Sequence, residues 1–242
     1  MKMNVYETHD IGALIRPNPY VGRGIVIGKS ADGKRAAVAY FIMGRSDNSR
    51  NRVFVEDGDT LMIHPFDASR VEDPSLIIYA PIRAYKDKLI VTNGDQTDTV
   101  YDGLLKGKGF SESLASRAFE PDAPNFTPRI SGMLTFGEAD FSYDMSILKS
   151  ADADGSACNR FTFSYAALPG IGHFLHTYVT DGNPIPTFMG EPERVSIPDD
   201  IDTLTDTLWN SLNEDNRISL YVRYINLADG SYERRLINRY SK

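Results

Sequence analysis

The chain has 242 residues, which one large domain spanning 1–242 can fill, and 41% hydrophobic with 24% charged residues excludes a largely disordered polymer. A formal net charge of −7 opposes non-specific binding to nucleic acid or anionic lipid, since a polyanion is repelled unless basic residues cluster locally. The single cysteine, Cys158, excludes an internal disulfide, and the lack of any apolar run of signal-peptide or bilayer length leads to the expectation of a cytoplasmic protein with no membrane partner.

Pro17 and Pro19 flank Asn18 and block a helix there, so the first twenty residues read as an irregular lead-in. Gly24 to Gly28 and Ala36 to Met43 are apolar runs joined by Ala31-Asp32-Gly33, which predicts a hairpin. The pattern recurs in Arg52 to Val55 and Thr60 to His64 around Asp57-Gly58, and in Leu76 to Ala80 and Leu89 to Val91 around Lys86-Asp87-Lys88. Asp95 is placed to cap a helix through Val100, Leu104 and Leu105 that stops at Gly107, and Ser111 to Phe119 is a second helix candidate. After the proline-rich stretch from Glu120 to Pro128, strands are expected at Ile130 to Phe136, Phe141 to Leu148, Phe161 to Ala166 and Phe174 to Val179. Pro198-Asp199-Asp200 opens a helix whose Ile201, Leu204, Leu208 and Leu212 share one face, and two last strands, Ile218 to Ile225 and Tyr232 to Ile237, flank Ala228-Asp229-Gly230. Hairpin connections give antiparallel pairing, so the fold class is α+β. Two sheets packed face to face, each covered by helices, would bury this many strands in four layers.

Several apparent motifs dissolve on inspection. His173 and His176 fall on opposite faces of a strand, where a shared metal site wants an even spacing. Asp152-Ala153-Asp154-Gly155-Ser156 begins like a calcium loop, but its glycine comes early and Phe163 stands where the closing glutamate belongs, so it reads as a turn. Gly22-Arg23-Gly24 with Gly28 lacks the helix that a dinucleotide fingerprint requires, which leaves Arg23 as an anion contact. Cys158 has neither a base nor an electropositive setting near it in sequence. The segment from Gly44 to Arg52 is different. Arg45, Arg50 and Arg52, with Ser46 and Asn51 among them, concentrate donors suited to phosphate and carbonyl oxygens in an acidic chain, against the plain alternative of a solvated turn. Glu120, Asp122, Asn125 and Arg129 form a second polar set on a stretch stiffened by prolines, against the alternative of a structural crossover.

These segments, taken with Gly22 to Gly28, Ala39-Tyr40-Phe41, Ile78-Tyr79, Gly132, Gly172, Thr177-Tyr178, Asp181-Gly182, Pro186, Phe188 and Gly190-Glu191-Pro192, resemble the archaeal-type IMP cyclohydrolase family as far as about Pro192. The resemblance implies a four-layer α/β/β/α sandwich like that of N-terminal nucleophile hydrolases, used without that nucleophile, since Met1-Lys2-Met3 offers no Cys, Ser or Thr. It implies an enzyme of purine biosynthesis that closes 5-formamidoimidazole-4-carboxamide ribonucleotide (FAICAR) to IMP by loss of water, with no cofactor and no metal. The partner is then a small-molecule purine ribonucleotide and no nucleic acid, and a homo-oligomer is left open.

On that reading Glu120 is the base or proton shuttle, with Asp122 its competitor, and Tyr79 orients the formamide or donates a proton. Arg45 and Arg52 meet the carboxamide or the developing oxyanion, and Arg23 and Arg129 are candidates for the phosphate. Ser46, Asn51 and Asn125 supply directional hydrogen bonds, and Thr177 and Tyr178 belong to the substrate-binding set. Two alternatives stand beside this one. An amidohydrolase on the same fold would need the missing nucleophile, and a purine-nucleotide-binding protein would bind without turnover.

Overall fold

The computed structural model describes residues 4, 6–71 and 78–240. Helix α1 (Ile11–Ile15) lies in the stretch expected to be irregular: the Asp10 carboxylate accepts from Ala13 N at 2.7 Å and caps it, and the helix ends ahead of Pro17. Strands β1 (Arg23–Lys29) and β2 (Arg35–Met43) form the first hairpin, turning at Gly33 with φ +73°, a left-handed value that suits glycine. A single capped turn, α2 (Asp47–Arg50), then leads to the hairpin of β3 (Val53–Asp57) and β4 (Thr60–His64). The next hairpin pairs β5 (Ile82–Tyr85) with β6 (Lys88–Thr92). Of the strand expected at Leu76 to Ala80, residues 76 and 77 lie outside the described residues, and the hairpin partner of β6 starts later. Pro81 has no N–H to give a ladder, so pairing with β6 begins just after it.

Helix α3 (Gln96–Leu105) stops as expected, Gly107 taking φ +77°. Asp95 does not cap it through its side chain, because Arg117 and Arg129 both claim that carboxylate. Helix α4 (Phe110–Leu114) is shorter than the expected Ser111 to Phe119. It buries Phe110 and Leu114, after which no apolar residue continues the buried face until Phe119. Strands β7 (Arg129–Phe136), β8 (Phe141–Ser150) and β9 (Cys158–Ala166) follow. Strand β10 (Ile171–His176) begins before the expected Phe174, because Gly172 lets it approach β1 closely: a Cβ there would stand 2.7 Å from Ile27 O. Strand β11 (Glu193–Ser196), helix α5 (Ile201–Ser211), β12 (Arg217–Asn226) and β13 (Tyr232–Asn238) complete the chain.

Among the described residues all strand ladders are antiparallel, in two sheets ordered β11-β10-β1-β2-β12-β13 and β3-β4-β5-β6-β7-β8-β9. The class is α+β. Ile25, Val38 and Tyr40 of the first sheet share one core with Leu61, Val91 and Leu134 of the second. The other face of the first sheet packs Ala39, Phe41 and Val222 against Ile11, Ile15, Leu204 and Leu208 of α1 and α5. The other face of the second packs Ile90 and Met133 against Val100 and Phe110 of α3 and α4. This explains why β2 is apolar at nearly every position: both of its faces are covered.

Candidate active site

Residues from five separate segments converge at one end of the layer between the sheets. Alternation along β1 puts Arg23 on the same face as Ile25 and Ile27, which lie in the inter-sheet core. Arg52 immediately precedes β3, and Tyr79 lies on the extended segment whose carbonyl accepts from Ile63 N at 2.9 Å. Glu120 comes from the loop after α4, its N–H donating to Thr127 O at 2.9 Å. Tyr40 projects from β2, stacks on Phe54 with ring centroids 5.6 Å apart, and brings its hydroxyl to 3.1 Å from that of Tyr79. Sequence reasoning placed Tyr40 only within a matched segment and gave it no role. Its position two residues before Ile42 on an inward-facing alternation was the available signal.

The charges of these groups are mutually coupled. Burial works against the charge of Arg23, but the Glu120 carboxylate and the phenols of Tyr20, Tyr178 and Tyr79 outweigh it and hold the guanidinium above its ordinary range. Arg52 is pushed the other way, by burial first and then by the like charge of Arg23. Burial raises Tyr79 despite the opposing pull of both arginines, and raises Tyr40 well above the usual phenol range with Tyr79 adding to the effect. Glu120 is also raised by burial, which Arg23 and Arg129 only partly offset. The Nε atoms of Arg23 and Arg52 are buried and have no hydrogen-bond partner among the described residues. An unpartnered buried donor costs about 1–3 kcal/mol, so both are prepared for an acceptor that the fold does not supply.

A second group forms the wall. Thr177 Oγ1 accepts from Arg23 N at 3.1 Å and donates to Val21 O at 3.2 Å, fixing the main chain that carries Arg23. The Tyr178 hydroxyl lies 2.6 Å from Thr127 Oγ1, and Asp122 accepts from Thr127 N at 2.7 Å and from Thr127 Oγ1. Arg45 stands outside, ion-paired with Asp181, donating to Gly182 O at 3.0 Å and covering the Tyr20 ring at 5.0 Å. Tyr20 in turn stacks on Tyr178 with centroids 5.7 Å apart, which ties Arg45 to the rim.

The remaining candidates are occupied elsewhere. Ser46 caps α2 by accepting from Ser49 N at 3.2 Å, and Ser49 returns the bond by accepting from Ser46 N at 3.0 Å. Asn51 donates to Asp67 O at 2.8 Å and accepts from Asp67 N at 2.7 Å, using both ends of its buried amide on the main chain. Asn125 Oδ1 accepts from Ile185 N at 3.1 Å. Arg129 Nη1 donates to Asp95 and to Gln96 Oε1, each at 2.7 Å. The arginine-rich segment is therefore a capped helical turn from which only Arg52 enters the central group. His173 and His176 sit on opposite faces of β10, the first bonded through Nδ1 to the Tyr143 hydroxyl at 2.8 Å and the second to Tyr178 O at 2.8 Å. Among the described residues no three His, Cys, Asp or Glu side chains are grouped to hold a metal, and no helix is long and apolar enough to cross a membrane.

The family model described as "IMP cyclohydrolase-like protein" matches residues 20–230. A relative named IMP cyclohydrolase from Methanothrix thermoacetophila is 36% identical over 120 residues, which are 48% of this chain and 58% of the relative. One of the same name from Methanopyrus kandleri is 38% identical over 123 residues, 49% of this chain and 60% of the relative. A third, from Methanococcus aeolicus, is 32% identical over 152 residues, 60% of this chain and 74% of the relative. The alignment thus spans somewhat over half the length of the first two relatives.

Proposed function

The chain belongs to the IMP cyclohydrolase-like protein family, and from that membership we propose that it closes FAICAR to IMP in the cytoplasm as one domain over 1–242, without cofactor or metal. The paired sheets with helices on their outer faces support a reading as the four-layer α/β/β/α sandwich of N-terminal nucleophile hydrolases. One observation carries the functional reading: two arginines with buried, unpartnered Nε atoms share a charge neighbourhood with a carboxylate of raised proton affinity.

Ring closure joins two groups of one molecule. The carboxamide nitrogen attacks the formyl carbon, giving up a proton as the formyl oxygen gains one. The hydroxyl so formed then leaves with a second proton as water, while the former formamide nitrogen loses its hydrogen and the C=N bond forms. No covalent bond to the protein is needed, so the chain's tasks are orientation, oxyanion stabilisation and proton transfer.

Arg52 and Arg23 are suited to the formyl oxygen and the carboxamide carbonyl, where negative charge develops. Tyr79, kept neutral by burial, is a hydroxyl donor aligned by Tyr40, and it orients the formamide. Glu120, its proton affinity raised by burial, takes the proton from the nitrogen and returns it to the departing hydroxyl. Thr177, Tyr178 and Asp122 hold the wall, and Arg45 at the rim is the candidate for the phosphate, together with Arg129 if its pairing with Asp95 opens.

The test is incubation of the pure protein with FAICAR while IMP is followed by chromatography. Catalytic, repeated formation of IMP is expected. Tight binding of IMP with conversion no faster than in buffer would instead establish a nucleotide-binding protein without turnover.

A further inference from the structure

The alternation of β12 that sends Tyr221 and Ile225 into the inter-sheet core also sends Arg223 there, beside Val38 of β2 and away from the end that carries Arg23. Arg223 is only 3% exposed. A buried charge is expected to be paired, yet its hydrogen bonds all go to neutral oxygens. Nε and Nη2 donate to Tyr221 Oη at 2.9 and 2.7 Å, and Nη2 also donates to Asp59 O at 3.1 Å. The Tyr232 ring covers the guanidinium, with its centroid 4.2 Å from Cζ. Nη1 has no partner among the described residues.

The acids nearby are engaged by others. Asp59 accepts from the Tyr232 hydroxyl at 2.6 Å, Glu56 pairs with Arg234, Asp140 with Lys29 at 2.8 Å, and Asp87 with Lys88 at 2.9 Å. Arg223 lines a cavity of about 470 Å³ whose apolar wall includes Leu89, Phe136 and Leu227. That volume lies within the range of small-molecule sites.

We infer that this cavity is a second ligand site, separate from the ring-closing cluster, which takes a small organic monocarboxylate with its carboxylate on Arg223 and its apolar or aromatic body against Leu89, Phe136 and Leu227. The charge of the ligand follows from the lining. Asp59, Asp87, Asp140 and Asp229 outnumber Lys86, Lys88 and Arg223 on the same walls and disfavour a dianionic phosphate, whereas one negative charge matches Arg223, the buried cation of the lining, which has no carboxylate partner among the described residues. The guanidinium already carries an aromatic ring on one face, so a carboxylate bonded in its plane completes it without displacing a protein contact.

The probe is benzoate, titrated into the whole chain carrying ¹³C-labelled Leu and Ile methyl groups. Saturable shifts of the Leu89, Leu227 and Ile225 methyl signals are expected, with no comparable response to benzamide or inorganic phosphate at equal concentration. Ala228→Trp, which places an indole at an exposed position of the rim, is expected to abolish the response while leaving the remaining spectrum in place. Arg223→Met is expected to weaken binding about tenfold or more where it folds. The absence of saturable shifts, an equal response to benzamide, a stronger response to phosphate, or undiminished binding in Ala228→Trp would each overturn the assignment.

Discussion

Replacing Glu120 by glutamine separates proton transfer from every other contribution of this residue. The main-chain bond from Glu120 N to Thr127 O, 2.9 Å, does not depend on the side chain, and glutamine keeps its volume and shape, so the loop is expected to stay in place. What is lost is the ionisable group. General acid–base catalysis contributes about 10²–10⁴-fold, and the lower figure corresponds to about 2.7 kcal/mol of barrier. A fall in the single-turnover rate of about 10²-fold or more is expected, with IMP affinity little changed.

The pH dependence has a definite sign. The base must be ionised, so kcat/KM rises with pH through the folded-state pKa of Glu120, which burial holds above the ordinary carboxylate value of about 4.3. That limb should vanish in Glu120→Gln. Linkage gives a second readout. A raised folded-state pKa contributes stability that is fully present below the unfolded value and lost as pH rises through the folded one, so the carboxylate of Glu120 weakens the fold as pH rises. Urea midpoints should therefore be no lower for Glu120→Gln than for the native chain at pH 7, with the difference closing in acid. Near-normal turnover with the acid limb unchanged would refute the role and shift it to Asp122.

Other substitutions divide the site. Arg52→Ala removes a buried donor set and is expected to lower kcat/KM by about 10²-fold or more, whereas Arg45→Ala, at the rim and paired with Asp181, should raise KM with kcat nearly unchanged; equal effects would merge their roles. Tyr79→Phe should reduce kcat about tenfold without loss of folding, read by single-turnover rates and circular dichroism, because one hydroxyl shared with Tyr40 is removed. Asn51→Ala should cost about 1 kcal/mol in urea unfolding, since two part-buried hydrogen bonds to the Asp67 main chain are lost, yet kcat of the folded fraction should hold. Turnover should persist after exhaustive chelation and in Cys158→Ala; recovery by one added metal, or a substrate adduct on the thiol, would contradict the mechanism.

The hairpins β1–β2, β3–β4 and β12–β13 and the last helix were legible in the sequence because each carries its own local signal. Asp32-Gly33 needs a left-handed residue and has one, and Ile201, Leu204, Leu208 and Leu212 repeat at helical spacing and all enter one core. Strand β10 was misjudged at its start because glycine reads as a breaker, while here Gly172 and Gly28 are what let two backbones approach. The grouping of the candidate site was partly legible. Arg23, Arg52, Tyr79 and Glu120 stand together, but nothing local distinguishes them from Arg45, Arg129 and Asn51, which look equally suited to an anion. Their difference is tertiary: Asp181, Asp95 and the Asp67 main chain, all distant or separate in sequence, occupy the second set and not the first. The Ser46 to Ser49 spacing did carry the signal of a capped turn, and it argues for structure over ligand binding at Ser46.

The most direct test of the central claim is a crystal structure of the protein with IMP bound. The purine ring is predicted to lie against Tyr79 and Glu120 with its carbonyl oxygen or ring nitrogens bonded to the guanidinium groups of Arg23 and Arg52, so that both buried Nε atoms gain or adjoin an acceptor. IMP bound elsewhere, with Arg23, Arg52 and Glu120 untouched, would contradict the assignment of ring closure to this cluster.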